Sequence, residues 1–141
     1  MTRVSFYILK GSEDHDRQVF ACRLIEKAYK QGNQIYIHTD NADKAEQINQ
    51  VLWSFRTDSF VPHQFIDSAN ADNCPVLIGY NSKPPRLMDL LINLGDEQPI
   101  FFSQFERVAE FINDDKELKL LGRERYRFYQ QRGYELSTHK I

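Results

Sequence analysis

The chain has 141 residues with 18 basic and 20 acidic side chains, so its formal net charge is −2. Its pI of about 6.1 argues against a general nucleic-acid binder, because such domains are strongly basic. No apolar run approaches the roughly 20 residues that a membrane span needs, and Cys22 and Cys74 are too few for a disulfide framework. We therefore expect one globular domain over residues 1–141, in a reducing, cytoplasmic compartment.

In the first half of the chain, apolar runs alternate with helical patterns. Residues 4–9 predict a strand, and a helix follows with Asp16 as its predicted N-cap and Gly32 at its end. Residues 34–38 predict a short second strand. Asn41 is expected to cap a second helix, because its side chain can accept a hydrogen bond from the first turn.

The second half adds strands and one long helix. Four further strands are predicted at 60–66, 75–79, 88–94 and 107–113. The last two segments also fit a helical pattern, and for residues 88–94 the short length and the following Gly95 favour a strand. Residues 115–132 predict one helix, which Gly133 ends. This alternation predicts an α/β fold with a mostly parallel sheet flanked by helices.

Folds of this type often bind nucleotides, but the chain has no motif for phosphate. None of its six glycines has the GxGxxG spacing, and no Gly-Lys-Ser/Thr sequence occurs. The loop after the first strand carries three carboxylates, Glu13, Asp14 and Asp16, which would repel phosphate and are interpreted as a helix cap. No metal or catalytic motif is found, so we expect no cofactor and no catalysis. A nucleotide-dependent enzyme with an atypical phosphate site remains the alternative, since active sites can assemble from distant residues.

The charge is distributed unevenly along the chain. Residues 116–141 hold seven basic and three acidic side chains, a formal charge of +4, and the first 115 residues carry −6. With Leu118 at 0°, Lys119, Arg123 and Arg127 fall at about 100°, 140° and 180° on the predicted helix, a row of cations facing solvent. Tyr126 borders this row, whereas Arg125 points nearer the core and is expected to pair with an acidic neighbour.

Two interpretations of the cationic row stay open. Three cations on an exposed helical face can be ordinary solvated surface. Together with the charge asymmetry and the bordering aromatic, they can also bind an acidic peptide or a terminal carboxylate. Phosphate of single-stranded DNA is a competing ligand, although three cations would bind it weakly.

A second informative stretch contains Trp53 and Phe60. Trp53 falls on a different helical face from Ile48 and Leu52, and Phe60 lies two positions before Pro62. Both aromatic residues can be core residues, or they can form an exposed pair that anchors a protein interface.

Several segments together resemble the chi subunit family of bacterial DNA polymerase III. They are residues 21–29, 52–53, 60–63 (FVPH), 75–78 and 123–127 (RERYR), in the family's order and with similar spacing. The resemblance implies a non-catalytic accessory subunit of the clamp-loader assembly, with a fold similar to mononucleotide-binding proteins but without a phosphate loop. It also implies two partners, the psi subunit and the acidic C-terminal tail of single-stranded DNA-binding protein (SSB), so that DNA is contacted only indirectly.

The resemblance assigns residues to each partner. It places the tail-binding arginine on Arg123, and the residues implied for the tail are Lys119, Arg123, Tyr126, Arg127 and, near the C-terminus, Thr138. The residues implied for the psi interface are Trp53, Phe60, Val61 and Pro62. We therefore expect a replisome adaptor that uses two separate surfaces.

Overall fold

The computed structural model describes all 141 residues, which form seven strands and three helices. The strands are β1 (Arg3–Ile8), β2 (Ile35–Thr39), β3 (His63–Phe65), β4 (Val76–Tyr80), β5 (Leu90–Asn93), β6 (Arg107–Ile112) and β7 (Glu135–Lys140). The helices are α1 (Asp14–Lys30), α2 (Ala42–Ser54) and α3 (Lys116–Gln131). None of the helices combines the length and the apolar character that crossing a membrane requires.

All strand pairs are parallel, and the strands lie in the order β3-β4-β2-β5-β6-β1-β7. The predicted α/β fold with a parallel sheet is confirmed. The ambiguous segments 88–94 and 107–113 contain β5 and β6, as predicted. Both strands lie inside the sheet and are covered on both faces, so their residues are nearly all buried and show no clean alternation.

Each face of the sheet has its own hydrophobic core. Helices α1 and α2 cover one face, where Ala109 and Phe111 of β6 belong to a cluster with Ile25 and Ile48. Helix α3 covers the other face with the segments between strands, and Val108 belongs to that cluster. Helix α3 thus packs on the opposite face of the sheet from α1 and α2.

Two predicted boundaries were wrong. Helix α1 begins at Asp14 with Glu13 as N-cap, and the Asp16 carboxylate accepts the Glu13 backbone N–H at 3.2 Å. Asp16 is therefore the third helical residue of a capping box, which contains two acidic residues at the required spacing. The strand predicted over 60–66 is reduced to β3, because Pro62 has no N–H for a sheet ladder.

Helix α3 agrees with the prediction over 115–132. The Asp115 carboxylate accepts the Leu118 N–H at 3.0 Å and caps the N-terminus, and Gly133 ends the helix with φ of +78°. Gly122 lets the helix lie close to the sheet, since a Cβ there would meet the Ile112 side chain. Strand β7, which follows, was not predicted, because it contains a single partly buried apolar residue, Leu136.

Candidate functional site

Arg125 of α3 turns into the protein, as predicted. Its side chain is 3% exposed, and its Nε donates to Oε1 of Glu110 on β6 at 2.8 Å. A second nitrogen, Nη1, donates to the backbone carbonyl of Asp96 at 2.9 Å. Arg125 is therefore fully engaged within the fold and does not belong to the exposed cations.

Glu110 is surrounded by donors and has no exposed surface. The Tyr129 hydroxyl and the Asn93 amide donate to Oε2 of Glu110 at 2.7 and 2.9 Å. Burial, reinforced by the neighbouring Glu110 charge, raises the pKa of Tyr129, so its hydroxyl keeps the proton that it donates. This network fixes the rotation of α3 about its axis.

That rotation determines where the cationic row lies. Arg123 and Arg127 are exposed, and neither forms an ion pair or a side-chain hydrogen bond within the chain. Lys119 is half-exposed, and its Nζ lies 2.5 Å from Oδ1 of Asp114. An exposed ion pair of this kind contributes little free energy, so Lys119 can exchange Asp114 for another carboxylate. Two guanidinium groups and one exchangeable ammonium group are thus available on this face.

Tyr126 lies at the edge of α3 that faces β1. Its ring is partly buried, with a centroid 5.2 Å from that of Phe6 on β1, whereas Arg125 reaches β6 on the other side. Successive helical residues are separated by about 100°, so Lys119 and Arg123 continue from Tyr126 toward the β7 side of the helix. The cationic row therefore borders the edge of the sheet formed by β7.

Thr138 lies on that edge strand and is exposed. It is in register with Phe6, and paired residues of parallel strands point to the same face. Because Phe6 contacts Tyr126, Thr138 faces the α3 side of the sheet. The fold thus brings Thr138, which is distant in sequence, to the same edge as Tyr126 and the cationic row.

Leu136 and Lys140 share this face with Thr138. Leu136 packs partly against the same core cluster as Tyr126, and Lys140 is exposed. Neither was among the predicted site residues, because β7 was not predicted. The only signal in the sequence is weak: the apolar Leu136 and Thr138, a residue type that favours strands, alternate with the polar residues Glu135, Ser137 and His139.

The second surface lies on the α1/α2 side and is built on an exposed aromatic pair. Trp53, at the end of α2, is 56% exposed and Phe60 is 66% exposed, with ring centroids 5.8 Å apart. Trp53 also packs on the His63 ring, with centroids 4.8 Å apart. Of the two interpretations of the pair, the structure supports exposed residues. Large aromatic side chains that remain exposed beside each other are typical of interface anchors.

Pro62 and Val61 have different environments in the same segment. Pro62 lines a cavity of about 490 Å³ together with Trp53, Phe60, His63 and residues 69–70 and 72–75. Val61 is 1% exposed and packs in the core with α1 and α2, so its side chain offers no surface to a partner. Its carbonyl lies 2.7 Å from Nδ1 of His63, which positions the ring beneath Trp53.

The usual phosphate position of nucleotide-binding α/β folds, at the carboxyl ends of the strands, carries acidic groups here. A cavity of about 220 Å³ there is lined by Asp14, Asp40, Asp96 and Asp115. Arg17 and Lys44 also line it, and both pair with Asp14, at 3.1 and 3.3 Å. The remaining carboxylates would repel phosphate, and no group of three or more acidic, His or Cys side chains is arranged to hold a metal ion.

Neither cysteine lies in a site that activates a thiol. Cys22 and Cys74 are both buried and unpaired. Burial raises the pKa of Cys22 to about 12, so its thiol stays protonated near neutral pH.

The two surfaces lie on opposite sides of the molecule. The cationic row borders β7 and the aromatic pair lies beside β3, and these strands are the two edges of the sheet. The helices that carry them, α3 and α2, pack on opposite faces. A partner on one surface therefore leaves the other accessible.

Comparison with known proteins gives one consistent family. The family model described as DNA polymerase III chi subunit, HolC, matches residues 1–137. A Pseudomonas aeruginosa protein named DNA polymerase III subunit chi is 38% identical over 141 residues, which is 100% of this chain and 98% of that protein. Proteins of the same name from Haemophilus influenzae and Escherichia coli are 31% and 27% identical. They cover 96% and 98% of this chain, and 95% and 97% of their own lengths.

Proposed function

The chain belongs to the chi subunit family of DNA polymerase III, accessory subunits of DNA replication, and we propose that it links two partner proteins in the replisome. The first partner is the psi subunit of the clamp-loader assembly, which binds the surface of Trp53 and Phe60. The second is the acidic C-terminal tail of SSB, which binds the α3 surface. The protein acts as one domain in the cytoplasm, performs no chemistry and meets DNA only through SSB.

The observation that carries this proposal is the pair of free guanidinium groups on α3. Arg123 and Arg127 are exposed and have no partner within the chain, while Tyr126 offers an aromatic surface beside them. Guanidinium groups bind carboxylates through charge-assisted, often bidentate hydrogen bonds. An acidic peptide that ends in an aromatic residue needs both features, because its carboxylates meet the arginines while its last ring packs against Tyr126.

The surface proposed for psi is mainly aromatic and apolar, whereas the α3 surface proposed for the tail is cationic. Trp53 and Phe60 are adjacent aromatic residues on the α2 side that are each more than half exposed, and Pro62 extends their apolar area to a neighbouring cavity. Aromatic residues that fill partner pockets contribute most of the binding energy at protein interfaces. We assign to Val61 a supporting role, since its side chain is buried beneath this surface.

The mechanism is tethering. Two contacts on opposite sides of one molecule raise the effective concentration of the polymerase assembly near SSB-coated DNA. Each contact can be as weak as about −8 kcal/mol, a micromolar Kd, and still localise the assembly where many tails are present. The carboxylates at the carboxyl ends of the strands argue against the alternative of a nucleotide-dependent enzyme.

The experiment that tests this function is a calorimetric titration with a peptide of the host's SSB C-terminus. The matched control is the same peptide without its last residue, which removes the terminal ring and shifts the terminal carboxylate. We expect saturable binding of the full peptide and strongly weakened binding of the control. Equal affinity for both peptides, or for bare single-stranded DNA, would refute tail recognition. Clear thermal stabilisation by ATP with magnesium would instead support the nucleotide alternative.

A further inference from the structure

Strand β7 is an edge that no element of the chain covers. It pairs only with β1, it runs for six residues without proline, and five of those residues are exposed. The opposite edge, β3, has three residues and is preceded by Pro62, which blocks pairing. Of the two edges, β7 is therefore the one on which another strand can form.

The hydrogen-bonding pattern shows which backbone groups of β7 are free. The Ile141 N–H donates to the carbonyl of Ile8 on β1 at 3.0 Å. Backbone groups of successive strand residues point alternately to the two sides, so Ser137 and His139 also face β1. The N–H and C=O groups of Leu136, Thr138 and Lys140 consequently point away from the sheet, where the chain provides no partner.

The side chains of these three residues face α3. Thr138 is in register with Phe6, which contacts Tyr126, and Lys140 is in register with Ile8. The free backbone edge is thus bordered on one face by Lys140 and by the cationic row of α3. A strand that pairs there would place alternate side chains next to those cations.

We propose that the acidic peptide binds as an eighth strand, adding to the free edge of β7 through the outward backbone groups of Thr138 and its neighbours Leu136 and Lys140. This inference rests on the proposed function and specifies how the same surface recognises its ligand. Backbone hydrogen bonds supply affinity that does not depend on side chains, and carboxylates at alternate positions meet Arg123, Arg127 and Lys140. The binding energy is thereby divided between the strand edge and the helix.

Charge favours an acidic peptide over a second copy of this chain. Two copies that pair through β7 in antiparallel orientation are related by a two-fold axis perpendicular to the sheet, so both α3 helices lie on the same face. Their exposed cations, including Arg123 and Arg127 of each copy, would then approach and repel each other across the interface. A carboxylate-rich strand meets the same cations with attraction.

The test compares Thr138→Pro with Thr138→Ala in titrations with the host's SSB C-terminal peptide. Proline removes the outward N–H of residue 138. Since this N–H takes no part in the ladder with β1, the position is one at which an edge strand tolerates proline. Alanine removes the side chain and keeps the N–H. We expect proline to weaken binding about tenfold more than alanine does, with thermal unfolding of both variants close to the wild type.

A second measurement leaves the protein unchanged. Peptides N-methylated at single successive positions are titrated against the wild-type chain, and strand addition predicts that affinity falls at every second position. Strand addition would be overturned if the two Thr138 variants bound the peptide equally and no methylation position lowered the affinity. In that case, binding of the peptide by the wild-type chain would still support the proposed function. Absence of wild-type binding would overturn both. A dimer in sedimentation that Thr138→Pro abolishes would assign the edge to a second copy and overturn the proposal.

Discussion

The Nε of Arg125 lies 2.8 Å from the Glu110 carboxylate, and the two side chains are 3% and 0% exposed. This buried pair connects the middle of α3 to the middle of β6. It holds the helix in the rotation that presents Arg123 and Arg127 to solvent and Tyr126 to Phe6. The RERYR segment therefore combines a structural arginine with two arginines that are free to bind a partner.

We expect Arg125→Ala to lower the free energy of unfolding by about 3–5 kcal/mol, because it leaves the Glu110 charge buried without its partner. Tyr129→Phe removes one hydrogen bond to the same carboxylate and should cost about 1–3 kcal/mol. Urea denaturation monitored by circular dichroism measures both values. As the control, Arg123→Ala should change the free energy by no more than about 0.5 kcal/mol, as is usual for exposed positions. A loss below about 1 kcal/mol for Arg125→Ala would mean that the pair does not anchor the helix.

Arg123→Ala should weaken binding of the SSB tail peptide at least several-fold, because Arg123 is the central cation of the row and has no internal partner. The measurement is calorimetric titration of variant and wild type under the same ionic conditions. Arg23→Ala is the matched control, since Arg23 is exposed on α1 on the other face of the sheet and its removal changes the net charge equally. Equal affinity for wild type and Arg123→Ala would remove Arg123 from the site.

Much of the fold follows from the sequence because the relevant patterns are local. The apolar runs of β1, β2 and β4 and the Asn41 cap of α2 depend on neighbouring residues, and each was predicted near its observed position. Strand β7 could not be predicted in this way. Its only partly buried apolar residue is Leu136, and the strand exists because β1 offers an unpaired edge, which is a property of the assembled sheet.

In the candidate sites, too, local features could be predicted from the sequence and features of tertiary packing could not. Helical spacing alone predicted that Lys119, Arg123 and Arg127 share an exposed face and that Arg125 points toward the core, because all four residues lie on one regular helix. The exposure of Trp53 and Phe60 depends on how α2 and the following loop pack, so the sequence left both interpretations open. The ion pair of Lys119 with Asp114 also depends on tertiary geometry at the start of α3.

Salt should weaken the tail contact more than the psi contact. The exposed charges of Arg123, Arg127 and Lys119 are screened over a Debye length of about 10 Å at 0.1 M ionic strength and less at higher salt. We expect the Kd for the tail peptide to rise as ionic strength is raised to about 0.3 M, while binding of psi through Trp53 and Phe60 changes little. Titrations of both partners over one salt series make the comparison. A salt-independent Kd for the tail would show that the cations do not contribute.

Trp53→Ala should disrupt the psi complex and leave tail binding intact. The side chain is 56% exposed, so its removal takes away interface area without opening a cavity in the core. The measurement is co-purification with psi together with titration of the tail peptide. Leu87→Ala is a suitable control, because Leu87 is 81% exposed and lies outside the aromatic surface. Loss of both partners would indicate that Trp53 supports the fold.

Stability should fall in mildly acidic solution because of His63. Burial lowers the pKa of this histidine below its ordinary value near 6.5, whereas in the unfolded chain it titrates near that value. The unfolded state then binds more protons as pH drops through 6.5, so the free energy of unfolding decreases toward about pH 5.5. Buried His38 contributes in the same direction, since desolvation lowers its pKa as well.

Urea denaturation at several pH values between about 7.5 and 5.5 measures this dependence for the wild type and for His63→Gln. The variant should lose less stability over that interval, because its side chain does not titrate. His15→Gln controls for the loss of an imidazole at an exposed position. If His63→Gln kept the full pH dependence of stability, the responsible protons would bind to groups other than His63. The Trp53 ring packs on His63 with centroids 4.8 Å apart, so the aromatic surface would then not respond to pH through this histidine.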